Sequence, residues 1–420
     1  MNGTDDLPEG GEFRLGWKVL LAATLGVSMA TTAIPFYAMG VFVTPLEQAR
    51  GWSRSDISMA ATVFSFSLPL AILMLGPVID RFGVRRVATF GHVMLGLAYL
   101  ALSATGGDVR IFWVIYAVAA VAAVGASPIT YARAVIQYFT RFRGLAIGIC
   151  MSGTGIGAAL APPVLEWVIR TRGIEAGYQM LALALFGLAA IVYLLLPVER
   201  KSTSEDAARG AVAGSAQDDK PKAVPSLAAN RPGLMISLIC LGIFMVALSV
   251  NGYIIHMVPL LEGRGLTSGQ AAGTAAYLGL AVIFGRLFTG FLLDRFPTGL
   301  IGSVVFSAAA CGILLLHAAD PIVAPISVIL IGFTVGAEVD LVAYLVSTLF
   351  RKADFSRYFS RVYAAFMLGA GVSPLIAGRI FDRDGDYAFF FNVSGGVLMT
   401  ISLAFLLLHV LQRRSVMASA

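Results

Sequence analysis

The chain alternates long apolar runs with short polar intervals, and this pattern decides its solvent. Twelve runs have about the 20 residues that an α-helix needs to cross a hydrocarbon core. They cover 17–43, 56–78, 87–106, 110–138, 144–168, 176–197, 233–260, 270–293, 298–318, 322–349, 360–381 and 388–411. Lipid does not tolerate unpaired backbone, so each run predicts a helix and none an open strand. Several runs are longer than a bilayer is thick and enclose Pro35, Pro69, Pro128, Pro259 or Pro374, which predicts tilted and kinked spans. The one long polar stretch, 198–232, is rich in Ser, Ala and charge and reads as a flexible linker. The expected organisation is a tail at 1–16, a six-helix bundle at 17–197, the linker at 198–232, a second six-helix bundle at 233–411 and a tail at 412–420.

Composition agrees with the pattern, since 58% of residues are hydrophobic and 13% charged. Average soluble domains carry roughly 25% charged residues. The net charge of +6 does not point to nucleic acid, because Lys and Arg form short clusters between apolar runs and no basic stripe with interleaved aromatics. Cys150, Cys240 and Cys311 each lie in an apolar run without CxxC spacing, so they predict small core residues and exclude a disulfide framework and a thiolate metal site. The first thirteen residues carry four acids and no base, so the first run is expected to be a retained helix. With the N-terminus inside, inner segments hold more than twice as many basic residues as outer loops. Positive loops stay on the cytoplasmic side, so a multi-pass protein of the inner (plasma) membrane is expected, with both termini cytoplasmic.

The two halves repeat at a constant offset of 214 residues. Pro45-Leu46 maps on Pro259-Leu260, Gly51 on Gly265, Gly76 on Gly290, Asp80-Arg81 on Asp294-Arg295, Arg143 on Arg357, and Gly155 and Gly157 on Gly369 and Gly371. A gap-free offset across three helix-loop junctions predicts a structural repeat of the kind that builds two-bundle secondary transporters.

The loop after the second run reads GPVIDRFGVRR, with Gly76, Asp80, Arg81, Gly83, Arg85 and Arg86, and its reduced copy GFLLDR has Gly290, Asp294 and Arg295. Gly76 is expected to let helices approach, Gly83 to permit a tight turn, and Asp80 with its arginines to bridge to helix ends of the opposite half. This pattern, in this place and twice, resembles the signature loop of the major facilitator superfamily, and the resemblance extends over the whole chain. It implies an all-α membrane fold of twelve transmembrane helices in two pseudo-symmetric bundles, a gating role for the motif, and alternating access. The stretches at 37–58, 138–157, 285–295 and 336–345 resemble the monocarboxylate and oxalate/formate transporter-like branch. After Gly155 and Gly157 the next prolines are Pro162 and Pro163, which departs from the drug/proton antiporter motif.

Charges inside a bilayer are costly, so the few present mark candidate sites. Arg286 lies nine residues before Arg295, near the midplane by helix rise, and its planar fork suits a carboxylate. In the related branch an arginine at this place binds the substrate carboxylate. Arg133 in the fourth run, six residues before Phe139 and so about 9 Å inside the cytoplasmic edge by helix rise, is a second cation for substrate, one side of a gate pair, or a snorkelling residue. Glu338 and Asp340 are two residues apart and point about 200° away from each other, so one is expected to carry a coupling proton or neutralise Arg286 while the other pairs elsewhere. Tyr37 and Tyr131 are candidate cavity hydroxyls, and His256 a candidate binding or titrating group. The branch often has a basic residue where Tyr37 and Phe366 stand here, and this departure favours a substrate with one anionic group.

The expected function is secondary transport of a small organic anion, most simply proton-coupled monocarboxylate symport by a monomer. Anion exchange and a non-transporting sensor or scaffold of the same fold remain as alternatives. No GxxxxGK[ST] loop, converging catalytic cluster or metal-ligand set occurs, so no cofactor, metal or enzyme activity is expected.

Overall fold

The computed structural model describes residues 11–105, 107–140, 142–197, 232–293, 295–318, 322–350 and 354–419. Most of the linker at 198–232 and Asp294 of the second motif copy lie outside the described residues. Among the described residues, sixteen α-helices run in the order α1 (Gly11–Ser28), α2 (Ile34–Tyr37), α3 (Met39–Arg50), α4 (Arg54–Phe82), α5 (Val84–Ser103), α6 (Val109–Ala122), α7 (Pro128–Tyr138), α8 (Arg143–Arg172), α9 (Ile174–Leu195), α10 (Pro232–Val250), α11 (Gly252–Gly263), α12 (Ser268–Leu293), α13 (Thr298–Leu315), α14 (Val323–Leu349), α15 (Phe355–Asp384) and α16 (Ala388–Ser419). They make twelve spans and, among the described residues, no strand. Among the described residues, ten spans are long and apolar enough to cross a membrane by length and composition. The chain is a multi-pass membrane protein with the expected all-α, twelve-span architecture.

Three spans expected as single helices are interrupted. The first breaks between Ser28 and Met39, the fourth between Ala122 and Pro128, and the seventh at Asn251. A break exposes backbone groups that lipid cannot satisfy, so each needs a partner from another span. The Thr31 N–H donates to the Ala126 carbonyl at 3.1 Å, so two of the breaks supply one another. At the third, the Ser373 hydroxyl on α15 accepts from the Gly252 N–H at 2.7 Å and donates to the Leu248 carbonyl. Pro128 starts α7 at a position that needs no N–H, whereas Pro69, Pro259 and Pro374 sit inside continuous helices. The chain after 411, expected as a tail, continues as helix to Ser419. Cysteine burial also departs from expectation. Cys150 is buried, but Cys240 is half-buried and Cys311 exposed.

The sequence repeat has a backbone counterpart. Gly51 and Gly265 both adopt positive φ, 65° and 91°, at the ends of α3 and α11, where a side chain would be strained. Helix α5 packs on α9 in the first half as α13 packs on α16 in the second.

By their contacts the helices form two compact units that do not follow the two halves of the sequence. One gathers the described residues of Met1–Pro35, Ser67–Gly157 and Val168–Gln217, the other those of Phe36–Phe66, Ala158–Trp167 and Asp218–Ala420. In the first, Gly153 and Gly157 of α8 bring its backbone against Thr24 and Ser28 of α1, too close for any side chain. Its core runs through Val27, Tyr131, Phe139, Cys150 and Leu188. In the second, Gly369 of α15 makes the equivalent approach to Phe244 of α10.

Candidate functional site

Small residues set the position of the candidate site in the second unit. Gly285 of α12 lies against the Phe333 carbonyl, while Gly332 and Gly336 of α14 lie against the carbonyls of Leu278 and Val282. A methyl group at any of the three would collide, so α12 and α14 touch backbone to backbone. That contact brings Arg286 beside the two acids of α14. The Arg286 Nε lies 3.6 Å from Asp340 Oδ2, with side chains 23% and 40% exposed. This is an ion pair without a hydrogen bond, and the buried Nε–H has no acceptor.

Glu338 turns the other way and is buried, at 1% exposure. Its Oε1 lies 3.5 Å from the Asn251 amide at the break in the seventh span, and its Oε2 has no partner. The two acids therefore divide as the 200° spacing required, with Asp340 on Arg286 and Glu338 on the helix break. Arg286 is nonetheless within electrostatic reach of Glu338, of Tyr37 on α2 and of Tyr363 on α15. The result is one cation, two acids and two phenols in one region, with a donor and an acceptor unused.

Other candidates fall elsewhere. Tyr131, expected as a cavity hydroxyl, is fully buried in the first unit with its oxygen 3.2 Å from His92 Nδ1. The His92 nitrogens also meet the carbonyls of Ala88 and Gly26, so this cluster ties α5, α7 and α1 together as packing. Arg133 is paired through Nη2 with Asp80 Oδ1. Its partner is thus in the motif at the end of α4, and the pair is made within the first unit and not with the opposite half of the sequence.

In the loop that carries the motif, Gly83 turns between α4 and α5 with φ of 81°, as its position predicted. Arg85 lies over the Tyr193 ring at 3.8 Å, and Arg81 and Arg295 lie over the neighbouring rings of Phe82 and Phe291. Arg86 is exposed. Gly76 differs from expectation, because a side chain there would meet nothing within 4 Å, and the space around Gly290 is equally open. Gly76 is on an exposed stretch of α4, so no close approach depends on it here.

His256 is 1% exposed and bonds to Ser58, Tyr387 and the Pro374 carbonyl. It belongs to a buried polar cluster at the Gly51 end of the second unit. Arg54 there is held by Glu47 at 3.1 Å, by the Tyr387 hydroxyl at 2.8 Å and by the Phe381 ring face at 3.5 Å. Asp382 accepts from the N–H groups of both Arg54 and Ser55 at 3.0 Å, which caps the start of α4. Thr44 donates to Glu262 at 2.6 Å and Ser268 to Glu166 at 2.8 Å. Sequence reading missed Arg54, Asn251, Ser373, Asp382 and Tyr387. For Arg54 and Asp382 the available signal was charge at a span end, which reads as ordinary loop charge.

A model of the family described as Major Facilitator Superfamily matches residues 19–351. Human monocarboxylate transporter 12 is 24% identical over 289 residues, 62% of this chain and 55% of the human protein. The Bacillus subtilis (strain 168) protein named uncharacterized MFS-type transporter YcxA is 24% identical over 287 residues, 67% of this chain and 66% of that one. The chain thus spans roughly three fifths of the length of these relatives. Two crystal structures share the fold. A nucleoside transporter has a TM-score of 0.69 at 12% identity, covering 92% of this chain and 98% of that one. A D-xylose-proton symporter has a TM-score of 0.69 at 16% identity, covering 93% and 97%.

Proposed function

Because the chain belongs to the Major Facilitator Superfamily, a family of transporters and not of enzymes, we propose that it is a secondary transporter that moves a small monocarboxylate together with a proton. The observation that carries this reading is the pair of unused atoms on α12 and α14, a buried guanidinium N–H on Arg286 and a buried carboxylate oxygen on Glu338. A buried donor without an acceptor is costly, and a substrate carboxylate satisfies it with a charge-assisted bond. A buried carboxylate oxygen without a donor is costly too, and a proton satisfies it.

Charge balance links the two events. Arg286 faces Asp340 and is within reach of Glu338, so an arriving anion adds a third negative charge around one cation. When the substrate takes over the guanidinium, Glu338 loses its positive neighbour and binds a proton. One anion then moves with one proton in an electroneutral cycle. Asp340 is the counter-ion that substrate displaces, and Tyr37 offers a hydroxyl beside the bound carboxylate. The Asp80–Arg133 pair acts as a gate pair, made in one conformation and broken in another. The protein acts as a monomer in the inner (plasma) membrane with both termini cytoplasmic. The relatives' names support transport by this fold, and the human relative's name supports the substrate class.

Purified full-length protein in liposomes tests the reading. An inward proton gradient should drive accumulation of labelled small monocarboxylates, an uncoupler should abolish it, and membrane potential alone should not drive it. Accumulation of uncharged sugars and not of carboxylates, or carboxylate uptake indifferent to the proton gradient, would sink it.

A further inference from the structure

The buried cluster around His256 has a property that the substrate site does not use, which is that its hydrogen bonds run in one direction. The His256 Nε2 lies 2.9 Å from the Pro374 carbonyl, which can only accept. It also lies 3.0 Å from Ser58 Oγ, whose own hydrogen goes to the Arg54 carbonyl at 2.7 Å. Both partners of Nε2 are therefore acceptors, so Nε2 carries the ring hydrogen. On the other side, Nδ1 is 2.8 Å from the Tyr387 hydroxyl, and the Tyr387 oxygen already accepts from Arg54 Nη1 at 2.8 Å. The phenol hydrogen is thus directed at Nδ1, which accepts. The chain reads Arg54 to Tyr387 to His256 to Pro374, with every donor used, and it is satisfied only when the imidazole is neutral.

An added proton on Nδ1 would face the phenol oxygen in place of a lone pair. The phenol hydrogen would have to turn away, and two cations, Arg54 and the imidazolium, would share one oxygen. The acids nearby are engaged elsewhere. Glu47 holds Arg54 Nε, and Asp382 caps α4 through two backbone N–H groups. Glu262, on the same helix as His256, accepts from Thr44, and Asp56 accepts from the Ser53 N–H. The start of α12 presents Ser268, bonded to Glu166.

The chain also joins elements from both halves of the sequence. Arg54 and Ser58 are on α4, His256 on α11, Pro374 on α15, and Tyr387 in the turn before α16. Alternating access requires contacts between halves at one end to break in each cycle. We infer that the Arg54–Tyr387–His256 chain is a proton-sensitive lock on the Gly51 end of the protein, closed while His256 is neutral and released when acid on that side protonates it. The positive-inside orientation puts this end outside. The lock does not involve Arg286, Glu338 or any substrate, so its failure and that of the transport reading are distinguishable.

The test is a distance measurement on full-length protein in lipid nanodiscs, without substrate. Cys150, Cys240 and Cys311 are replaced by Ser, and spin labels are placed at the exposed positions Ala49 and Arg383, near the ends of α3 and α15. Lowering the pH from 8 to 5 should raise the population at longer separation on the order of tenfold, the ratio that one unit of pKa difference between the two states produces. His256→Gln keeps a donor and an acceptor but does not titrate, so its distances should not change with pH. Tyr387→Phe removes the link to Arg54 and should lengthen the distance already at pH 8, with little further change on acidification. A pH-independent wild type, or a His256→Gln protein that responds as the wild type does, overturns the inference. If His256→Gln does not fold, a Tyr387→Phe protein with the full wild-type pH response overturns it equally.

Discussion

Replacing Asp340 by Asn removes the counter-ion from Arg286 while keeping the side chain's size, and the geometry fixes both the sign and the scale of the effect. At 3.6 Å the Coulomb attraction of the pair is about 4.6 kcal/mol for an effective dielectric of ~20 and about 1.2 kcal/mol for that of water. Both side chains are partly exposed and no hydrogen bond joins them, which places the pair toward the lower figure. A net value of about 1–2 kcal/mol is therefore expected. An anionic substrate must displace Asp340 to reach the guanidinium, so Asp340→Asn should tighten substrate binding by roughly 5- to 30-fold. The assay is the concentration dependence of monocarboxylate uptake into proteoliposomes at pH 7, paired with ligand-induced thermal stabilisation of the purified protein. The variant should be less stable than wild type without ligand and gain more from ligand, because bound anion replaces the missing charge. Unchanged or weakened affinity would refute the claim that Asp340 competes with substrate for Arg286.

Three further outcomes follow from the same geometry. Arg286→Lys keeps the charge and loses the planar fork, so affinity should fall by about 1–3 kcal/mol, and an unchanged KM for uptake would move the site elsewhere. Ser373→Ala leaves the Gly252 N–H and the Leu248 carbonyl unpaired in a buried break, at about 1–3 kcal/mol for each group, so the thermal midpoint in detergent should drop by several degrees; an unshifted midpoint would contradict this account of the break. Gly336→Ala puts a methyl group into the Val282 carbonyl and against the Arg286 backbone, so α12 must move and uptake affinity should fall, whereas wild-type kinetics would mean that the backbone contact does not position Arg286.

The sequence made the spans and their repeat legible because both are local properties. Apolar run length predicts a crossing helix, and the paired turns at Gly51 and Gly265 follow from the residue's own conformational freedom. The breaks were legible only in part, since Pro35 and Pro128 mark the first and fourth spans as kinked, but no local feature names the partner of the freed backbone groups. They persist because a group distant in sequence, the Ala126 carbonyl or the Ser373 hydroxyl, supplies the missing bond. The same distinction holds for the candidate site. The opposite facing of Glu338 and Asp340 was readable from helix geometry, but which acid meets Arg286 depends on how α12 and α14 pack through Gly285, Gly332 and Gly336. Tyr131 read as a cavity hydroxyl because a phenol in an apolar helix carries no sign of its partner. His92, 39 residues away, takes that oxygen into the core.

The central claim is that Glu338 carries the proton that moves with the substrate, and Glu338→Gln tests it most directly. The amide keeps the side chain's shape and its contact with Asn251 but cannot be charged, so the variant should behave as permanently protonated. In proteoliposomes it should exchange labelled for unlabelled substrate at a rate near wild type, because exchange needs no net proton movement, and it should lose accumulation driven by an inward proton gradient. Gradient-driven accumulation that survives Glu338→Gln would contradict the account, and its loss in Asp340→Asn instead would transfer the proton to the carboxylate that faces Arg286.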